Sequence, residues 1–194
     1  MRDLRGATVR TALGGLMAGA LLLTGCAEKQ EASTALPAPS ASETTPELPV
    51  LGPADFPVPD EARTKDAAGA EAFLRYWIDL LNRQRAIPAG GPIRELGPEC
   101  QECVRIAGNY DDAAAAGDRY DGGELSLNDA TAPEFDADEA MIAFGARREP
   151  VALIGRSGAV LESRREAAPN LSSGITLVWS EPDRSWLVKS FTLG

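Results

Sequence analysis

The sequence predicts an α+β domain, because helical periodicity comes first along the chain and strand periodicity follows it. In residues 66–86 the apolar side chains recur at helical spacing, and after Gly122 and Gly123 they alternate with polar ones. The clearest alternation lies near the end of the chain, in Ile175–Trp179 and Trp186–Phe191. Helices that precede a run of antiparallel strands are typical of this class.

The first helix is predicted over residues 66–86, where the apolar side chains share one face. Asp79 lies on the opposite face, four residues from both Arg75 and Arg83, which predicts a solvated row of ion pairs. Pro88 and the glycines at 90 and 91 end the helix. The residues of the apolar face are Ala70, Phe73, Leu74, Trp77, Ile78, Leu80 and Leu81.

A single helical turn is predicted over 92–96, and a second long helix follows it. Pro98 is suited to the first turn of that helix, which continues to about Ala116 and stops at Gly117. The residues expected on its inner face are Cys100, Cys103, Val104, Ala107 and Tyr110.

Several shorter strands are expected between the helices and the final pair. Ile142 and Phe144 alternate with small residues, and residues 151–154 are rich in β-formers. Residues 155–158 look like a turn into a strand at Val160 and Leu161. The acidic stretch 129–139 lacks the turn glycine of a calcium loop, so an exposed loop is expected there.

The last two strands have a definite predicted register. Pro182-Asp183 is a turn dipeptide, with proline at its favoured second position. This turn places Ser180 opposite Ser185, Trp179 opposite Trp186 and Leu177 opposite Val188. We expect the face that carries the two tryptophans to pack against the helix with Phe73 and Trp77, or to line a pocket.

The chain begins with the pattern of a secretory signal over residues 1–25. A basic start is followed by an uncharged apolar run from Ala12 to Leu23 and then by polar residues after Cys26. Twelve apolar residues are too few to span a membrane, which takes about 20. The sequence therefore predicts export.

Leu23-Thr-Gly-Cys26 resembles the bacterial lipobox. The resemblance implies cleavage between Gly25 and Cys26 and acylation of the Cys26 thiol. Two acyl chains hold a protein on a bilayer, whereas one holds it only marginally. We therefore expect a lipid anchor at the extracytoplasmic face of the cell membrane, with an ordinary secretory signal as the alternative.

Residues 26–65 are predicted to be the lipidated cysteine and a disordered linker, which leaves 66–194 as a single domain. The stretch after Cys26 contains seven of the fourteen prolines, and its only aromatic residue is Phe56. Such a stretch buries too little apolar surface to offset the entropy of ordering it. The alternative is a folded Pro-rich arm that docks on the domain.

The charge of the chain argues against nucleic acid as a partner. The formal charge is −10, and residues 1–25 contribute +2 of it, so the mature chain carries −12. An acidic surface repels phosphate backbones.

Cys100 and Cys103 are most simply a structural disulfide, since cysteines this close usually pair in an oxidising compartment. A thioredoxin-like redox motif is the alternative, but no strand leads into the motif. A zinc site lacks ligands, because the chain has no histidine and no second cysteine pair. The absence of histidine also removes the commonest general base.

A set of short motifs resembles an uncharacterised family of actinobacterial lipoproteins. The motifs are Gly69-Ala-Glu-Ala-Phe-Leu-Arg-Tyr-Trp77, Cys100–Cys103, Gly122-Gly123, Leu177-Val-Trp179 and Trp186-Leu-Val188. The domain of that family is similar to the cone-shaped fold of nuclear transport factor two, ketosteroid isomerase and scytalone dehydratase. The resemblance implies helices packed on a curved, mainly antiparallel sheet. The family has no assigned activity, so no catalytic residue is carried over.

The leading functional expectation is a non-catalytic envelope module without a cofactor or a bound metal. It would bind a small apolar ligand or an envelope protein. The residues expected in its pocket or core are Phe73, Trp77, Tyr110, Trp179 and Trp186. The alternatives are a hydratase- or isomerase-like enzyme that uses a pocket in the cone, and a thiol oxidoreductase that acts through Cys100 and Cys103.

Overall fold

The structure, a computed structural model, describes residues 48–162 and 164–194. Within these residues a short 3-10 helix, Asp60–Ala62, comes before three α-helices and seven strands. The helices are α1 (Ala67–Ala86), α2 (Gly91–Leu96) and α3 (Gln101–Ala116). The strands are β1 (Arg119–Gly122), β2 (Leu125–Ala130), β3 (Glu134–Asp136), β4 (Glu139–Arg148), β5 (Val151–Ile154), β6 (Ala168–Ser180) and β7 (Ser185–Leu193). The predicted α+β class is confirmed.

The strands form two antiparallel sheets. β1 pairs with β5, while the larger sheet has the order β2-β4-β6-β7, with β3 paired to one end of β4. The register shifts by one residue within each of the pairs β2–β4, β4–β6 and β6–β7. Such bulges bend the strands that carry them, which accounts for a curved sheet with the helices on one side. Within the part of the chain that the structure describes, no helix has the length and apolarity that crossing a bilayer would need.

Helix α1 has the predicted apolar face but not the predicted row of ion pairs. The Asp66 carboxylate accepts a hydrogen bond of 2.8 Å from the Gly69 amide, which caps the helix one residue before its first turn. Arg75 contacts Glu71 at 3.4 Å instead of Asp79. Arg83 reaches away from the helix to Asp55, at 2.6 Å. The predicted row of ion pairs through Asp79 is wrong, because each arginine has a different carboxylate as its partner.

The C-terminal half of α1 also closes one edge of the larger sheet. The Asn82 side chain accepts a hydrogen bond from the Leu125 amide and donates one to the Leu125 carbonyl, both at 2.8 Å. The amide therefore acts like a short neighbouring strand at the beginning of β2. Edge strands with free amides invite pairing with other chains, and this contact blocks part of that edge.

Helix α3 begins three residues later than predicted and ends where predicted. Its N-cap is Cys100, and its C-cap Gly117 has φ +73°, the left-handed conformation that suits glycine. Cys103 and Ala107 are buried as expected, but Val104 is 42% exposed. Val104 follows Cys103 by about 100° around the helix. That rotation takes it off the inner face, so its assignment there is wrong.

The final hairpin has the predicted register next to its turn. Ser180 faces Ser185, Trp179 faces Trp186 and Leu177 faces Val188. Beyond Leu177 the register shifts by one residue, which leaves Lys189 as the extra residue of a bulge. The predicted register is confirmed from the turn to the Leu177–Val188 pair. The bulge was not predicted, because the residues of the turn determine only the pairing next to it.

Two of the shorter strand predictions differ from the structure. Val160 makes only an isolated bridge to Ile154, and Val160 and Leu161 are 61% and 53% exposed. The acidic stretch is not a simple loop, because it contains β3 and the turn into β4. Asp138, in that turn, has a basic partner, since its carboxylate lies 2.7 Å from the Lys65 ammonium.

Residues 48–65, which we call the strap, pack on the domain. Leu51, Val58 and Ala62 are buried in the same core as the helices and the larger sheet. The packed unit therefore begins before residue 66, and this segment has the docked-arm form rather than the disordered one. Three apolar side chains are enough because they complete an existing core instead of building their own. The remainder of the predicted linker lies outside the described residues.

The hairpin gives a direct test of the core. Trp186 is fully buried, whereas Trp179 is only partly buried, although the two rings contact each other at 5.2 Å between centroids. We expect Trp186→Ala to lower the free energy of unfolding by about 3–5 kcal/mol. Trp179→Ala is the matched control and should cost clearly less. Urea unfolding of both variants measures the difference, and equal losses would contradict the assignment of Trp186 to the core.

Candidate functional site

The five residues predicted to form a pocket or core belong to the core or its edge. Phe73, Trp77 and Trp186 are each 0% exposed, and Trp77 contacts Phe191 edge to face. Tyr110 and Trp179 lie at the margin, partly buried. Among residues 48–162 and 164–194, no Asp or Glu side chain is buried. Three of the five therefore belong to the core shared by the helices and the larger sheet, and no described carboxylate is buried beside them.

Cys100 and Cys103 are joined by a disulfide and are 1% and 0% exposed. The Cys100 sulfur accepts a hydrogen bond of 3.1 Å from the Cys103 amide, which is the N-cap contact of α3. Thiol exchange needs an attacking thiolate to reach a sulfur atom, and burial prevents that approach. The bridge closes the first turn of α3, from its N-cap to its third residue. The lipidation and cleavage residues, Cys26 and Gly25, lie outside the described residues.

The strap is fixed at the end of the domain where the β6–β7 turn lies. The Arg63 guanidinium donates to the carbonyls of Pro49, at 2.8 Å, and of Asp183. The Trp186 indole donates to the Thr64 carbonyl at 2.9 Å. Each contact satisfies a backbone oxygen that no helix or strand would otherwise use. The strap therefore has a definite path over the domain.

The first turn of the strap places an aromatic ring against α1. The Tyr76 hydroxyl donates to the Phe56 carbonyl at 3.1 Å, and the two rings stack with centroids 5.2 Å apart. Burial raises the pKa of Tyr76 well above its ordinary value, so the hydroxyl remains a neutral donor at physiological pH. Gly52 has φ +81°, and a Cβ there would lie 2.2 Å from the Tyr76 hydroxyl oxygen. Only glycine permits this approach.

A groove of about 590 Å³ runs between the strap and the outer side of α1. We call it the strap–helix groove. Its apolar floor consists of the Phe56–Tyr76 pair with Pro59 and Ala72, and the carboxylates of Glu61 and Asp79 lie on its sides. Apolar concave surfaces with a few fixed polar groups are typical of binding sites.

The polar groups of the strap–helix groove leave it acidic. Of its three carboxylates, only Glu71 has a basic partner among the described residues, namely Arg75. Within the described part of the chain, neither Asp79 nor Glu61 takes part in an ion pair. Arg83, the other arginine close to Asp79 in sequence, donates a hydrogen bond to the Asp55 carboxylate instead. This hydrogen bond lowers the pKa of Asp55.

A second depression, of about 490 Å³, lies over β2, β4 and β6. Small polar residues such as Asn128, Thr131 and Ser172 line it, and its carboxylate, Asp129, already accepts a hydrogen bond of 3.0 Å from the Gly145 amide. Phe144, its aromatic residue, is 4% exposed and belongs to the core. The strap–helix groove is the better candidate, because its Phe56 ring is only half-buried and its Glu61 and Asp79 carboxylates are exposed and unpaired within the described residues.

No protein-family model and no curated protein sequence matches the chain. Among solved structures it is similar to the intermembrane-space region of the chloroplast protein ARC6, with 16% identity, a TM-score of 0.44 and coverage of 67% of this chain and 97% of that one. Aln2 from a Streptomyces species has 17% identity, a TM-score of 0.39 and coverage of 62% and 85%. A putative calcium/calmodulin-dependent protein kinase II association domain from Xanthomonas campestris has 12% identity, a TM-score of 0.37 and coverage of 67% and 87%. The fold class rests on the chain's own strand pairing.

Sequence reasoning missed the strap–helix groove because it assigned the strap to a disordered linker. The available signal was Phe56, a lone aromatic residue in a proline-rich stretch, with Leu51 and Val58 on either side of it. The spacing of these residues matches no helix or strand. Their packing therefore has no periodic signature.

Gly52→Ala tests whether the packing of the strap on α1 depends on the close approach of Gly52 to Tyr76. The positive φ alone costs an alanine about 1–2 kcal/mol, and the close approach to Tyr76 adds to it. Gly158→Ala is the matched control, because Gly158 has φ +85° with nothing within 4 Å of its Cβ position. We expect Gly52→Ala to lower the unfolding free energy more than the control and to speed hydrogen exchange at the Val58 amide. Equal effects would mean that the contact with Tyr76 contributes nothing.

Proposed function

We propose that this protein is a lipid-anchored, non-catalytic binding module at the extracytoplasmic face of a cell membrane, and that it engages an envelope protein at the strap–helix groove. The observation that carries the proposal is the Phe56–Tyr76 pair, which forms an ordered apolar floor in an open groove beside unpaired carboxylates. A preformed surface of this kind binds without first paying an ordering entropy.

A protein partner fits the observations better than a small apolar ligand. A small apolar ligand needs an enclosed cavity that removes most of its surface from water. The interior is occupied by Phe73, Trp77 and Trp186, whereas the groove is open along its length. An open groove with polar sides matches a segment of polypeptide, whose own backbone needs polar contacts.

Two observations favour binding over the catalytic alternatives. A ketosteroid-isomerase-like reaction needs a base and a facing acid within a pocket, and the described carboxylates are at least partly exposed. A thiol oxidoreductase needs an accessible sulfur, and both Cys100 and Cys103 are buried.

The proposed anchorage is supported by the amino-terminal sequence. The uncharged apolar run from Ala12 to Leu23 ends in the lipobox-like Leu23-Thr-Gly-Cys26. Twenty-one residues separate Cys26 from Leu48, the first residue of the strap.

Replacing Cys26 tests the anchorage. In the native host, Cys26→Ala should leave an uncut precursor that incorporates no labelled palmitate, because the acylated thiol is absent. Membrane fractionation with a palmitate analogue measures both effects. Cys100→Ala is the control, since it removes a cysteine without touching the lipobox. Normal processing and membrane retention of Cys26→Ala would refute the lipid anchor.

A photo-crosslinking residue tests the strap–helix groove as the contact surface. Placed at Ala72, on the groove floor, it should give a discrete adduct in living cells. The same residue at Ser190, exposed on β7, is the control and should not give that adduct. Phe56→Ala should remove the adduct from the Ala72 variant, because it removes half of the aromatic floor. An adduct that survives Phe56→Ala would place the partner elsewhere.

A further inference from the structure

We infer that the strap–helix groove recognises an extended basic peptide segment, in which apolar side chains alternate with Lys or Arg. This inference rests on the proposed function, since it names the chemistry of the partner at the same groove. Two observations support the inference: the excess of carboxylates in the groove and the length of the groove along α1.

The charge of the groove favours a cationic partner. Glu61, Glu71 and Asp79 are set against one arginine, Arg75, which Glu71 already contacts at 3.4 Å. Asp79 and Glu61 therefore offer acceptor oxygens with no partner within the described residues. A lysine or arginine of the partner would satisfy them with charge-assisted hydrogen bonds.

The floor of the groove requires apolar groups between those charges. Phe56 is half-buried, and Pro59 and Ala72 continue its apolar surface along the strap and the helix. A free metal ion or a small polyamine would leave this surface exposed to water. An apolar side chain that covers it gains the free energy of burial.

The length of the groove fits a short extended strand. The lining residues on α1 run from Ala68 to Asp79, which at the helical rise is about 17 Å. An extended chain covers that distance in about five residues. Alternate side chains of such a segment point to opposite sides, so apolar residues can meet the floor while basic ones meet the carboxylates.

Charge also disfavours two occupants that the chain itself could supply. Residues 26–47 contain four glutamates and one lysine, so they would be repelled by an acidic groove. Residues 1–47 contribute −1 of the formal −10, so a second copy of residues 48–194 brings −9. A basic segment of another protein is the occupant that the electrostatics favour.

The test uses the full-length protein in a non-ionic detergent and three labelled, terminally blocked hexapeptides. The peptides are Ala-Leu-Lys-Leu-Lys-Ala and its counterparts with Gln or Glu in place of Lys. Fluorescence polarisation should show the Lys peptide binding at least about five-fold more tightly than the Gln peptide, with no binding of the Glu peptide. The Lys peptide should shift the ¹H–¹⁵N amide signals of Ala72 and Asp79.

A matched pair of variants separates the groove from the overall charge. Asp79→Asn should weaken binding of the Lys peptide about two- to five-fold, which is the usual size of one exposed ion pair, and leave the Gln peptide unchanged. Asp112→Asn makes the same change at an exposed position of α3 and should leave both affinities as they are. Circular dichroism verifies that both variants are folded.

Equal affinity for the three peptides, or an equal loss in Asp112→Asn, would overturn the inference. If crosslinking at residue 72 persisted in that case, the groove would stand as the binding surface, and only the chemistry of its partner would be wrong. If the preference for the Lys peptide and the crosslink at residue 72 were both absent, the proposed function would be overturned as well.

Discussion

The indole of Trp186 is the contact on which the arrangement of the whole domain depends. Its ring is fully buried within the β6–β7 hairpin, where it meets Trp179 edge to face. Its Nε1 donates to the Thr64 carbonyl at 2.9 Å, which fixes the end of the strap just before α1 begins. One side chain thus joins the sheet to the strap, three residues before the first helix begins. A large aromatic ring with a polar atom can do this because it fills the core and still satisfies a backbone group at its margin.

The strap–helix groove follows from that arrangement. The two ends of the strap lie close together, because Arg63 donates to the Pro49 carbonyl, and the middle of the strap reaches the outer side of α1. Gly52 makes the close turn that brings Phe56 onto Tyr76. Arg83 is drawn to Asp55 of the strap and is no longer available to Asp79. The same segment therefore builds the floor of the groove and leaves one of its carboxylates without a partner.

The sequence predicted the parts of the fold whose patterns are local and periodic. The face of α1 repeats every three to four residues, and Pro182-Asp183 fixes the register of its hairpin as far as Leu177. The strap has no period, and its order comes from long-range contacts such as Arg63 to Asp183. Composition alone could not distinguish a docked proline-rich arm from a disordered one. The bulge at Lys189 was missed for a related reason, because it depends on how β6 meets the core rather than on the turn.

The acidity of the domain and the geometry of the groove have different physical roles. The charge of −9 over residues 48–194 acts at long range, where it repels anionic surfaces and raises the encounter rate with basic partners. That attraction is screened within about 10 Å at moderate salt, so it cannot select a binding surface. Selection needs desolvated contacts at short range, and at the proposed site the Phe56–Tyr76 floor would supply them. Raising the salt concentration should therefore slow the association of a basic peptide more than it speeds its dissociation, because only the steering depends on the distant charges.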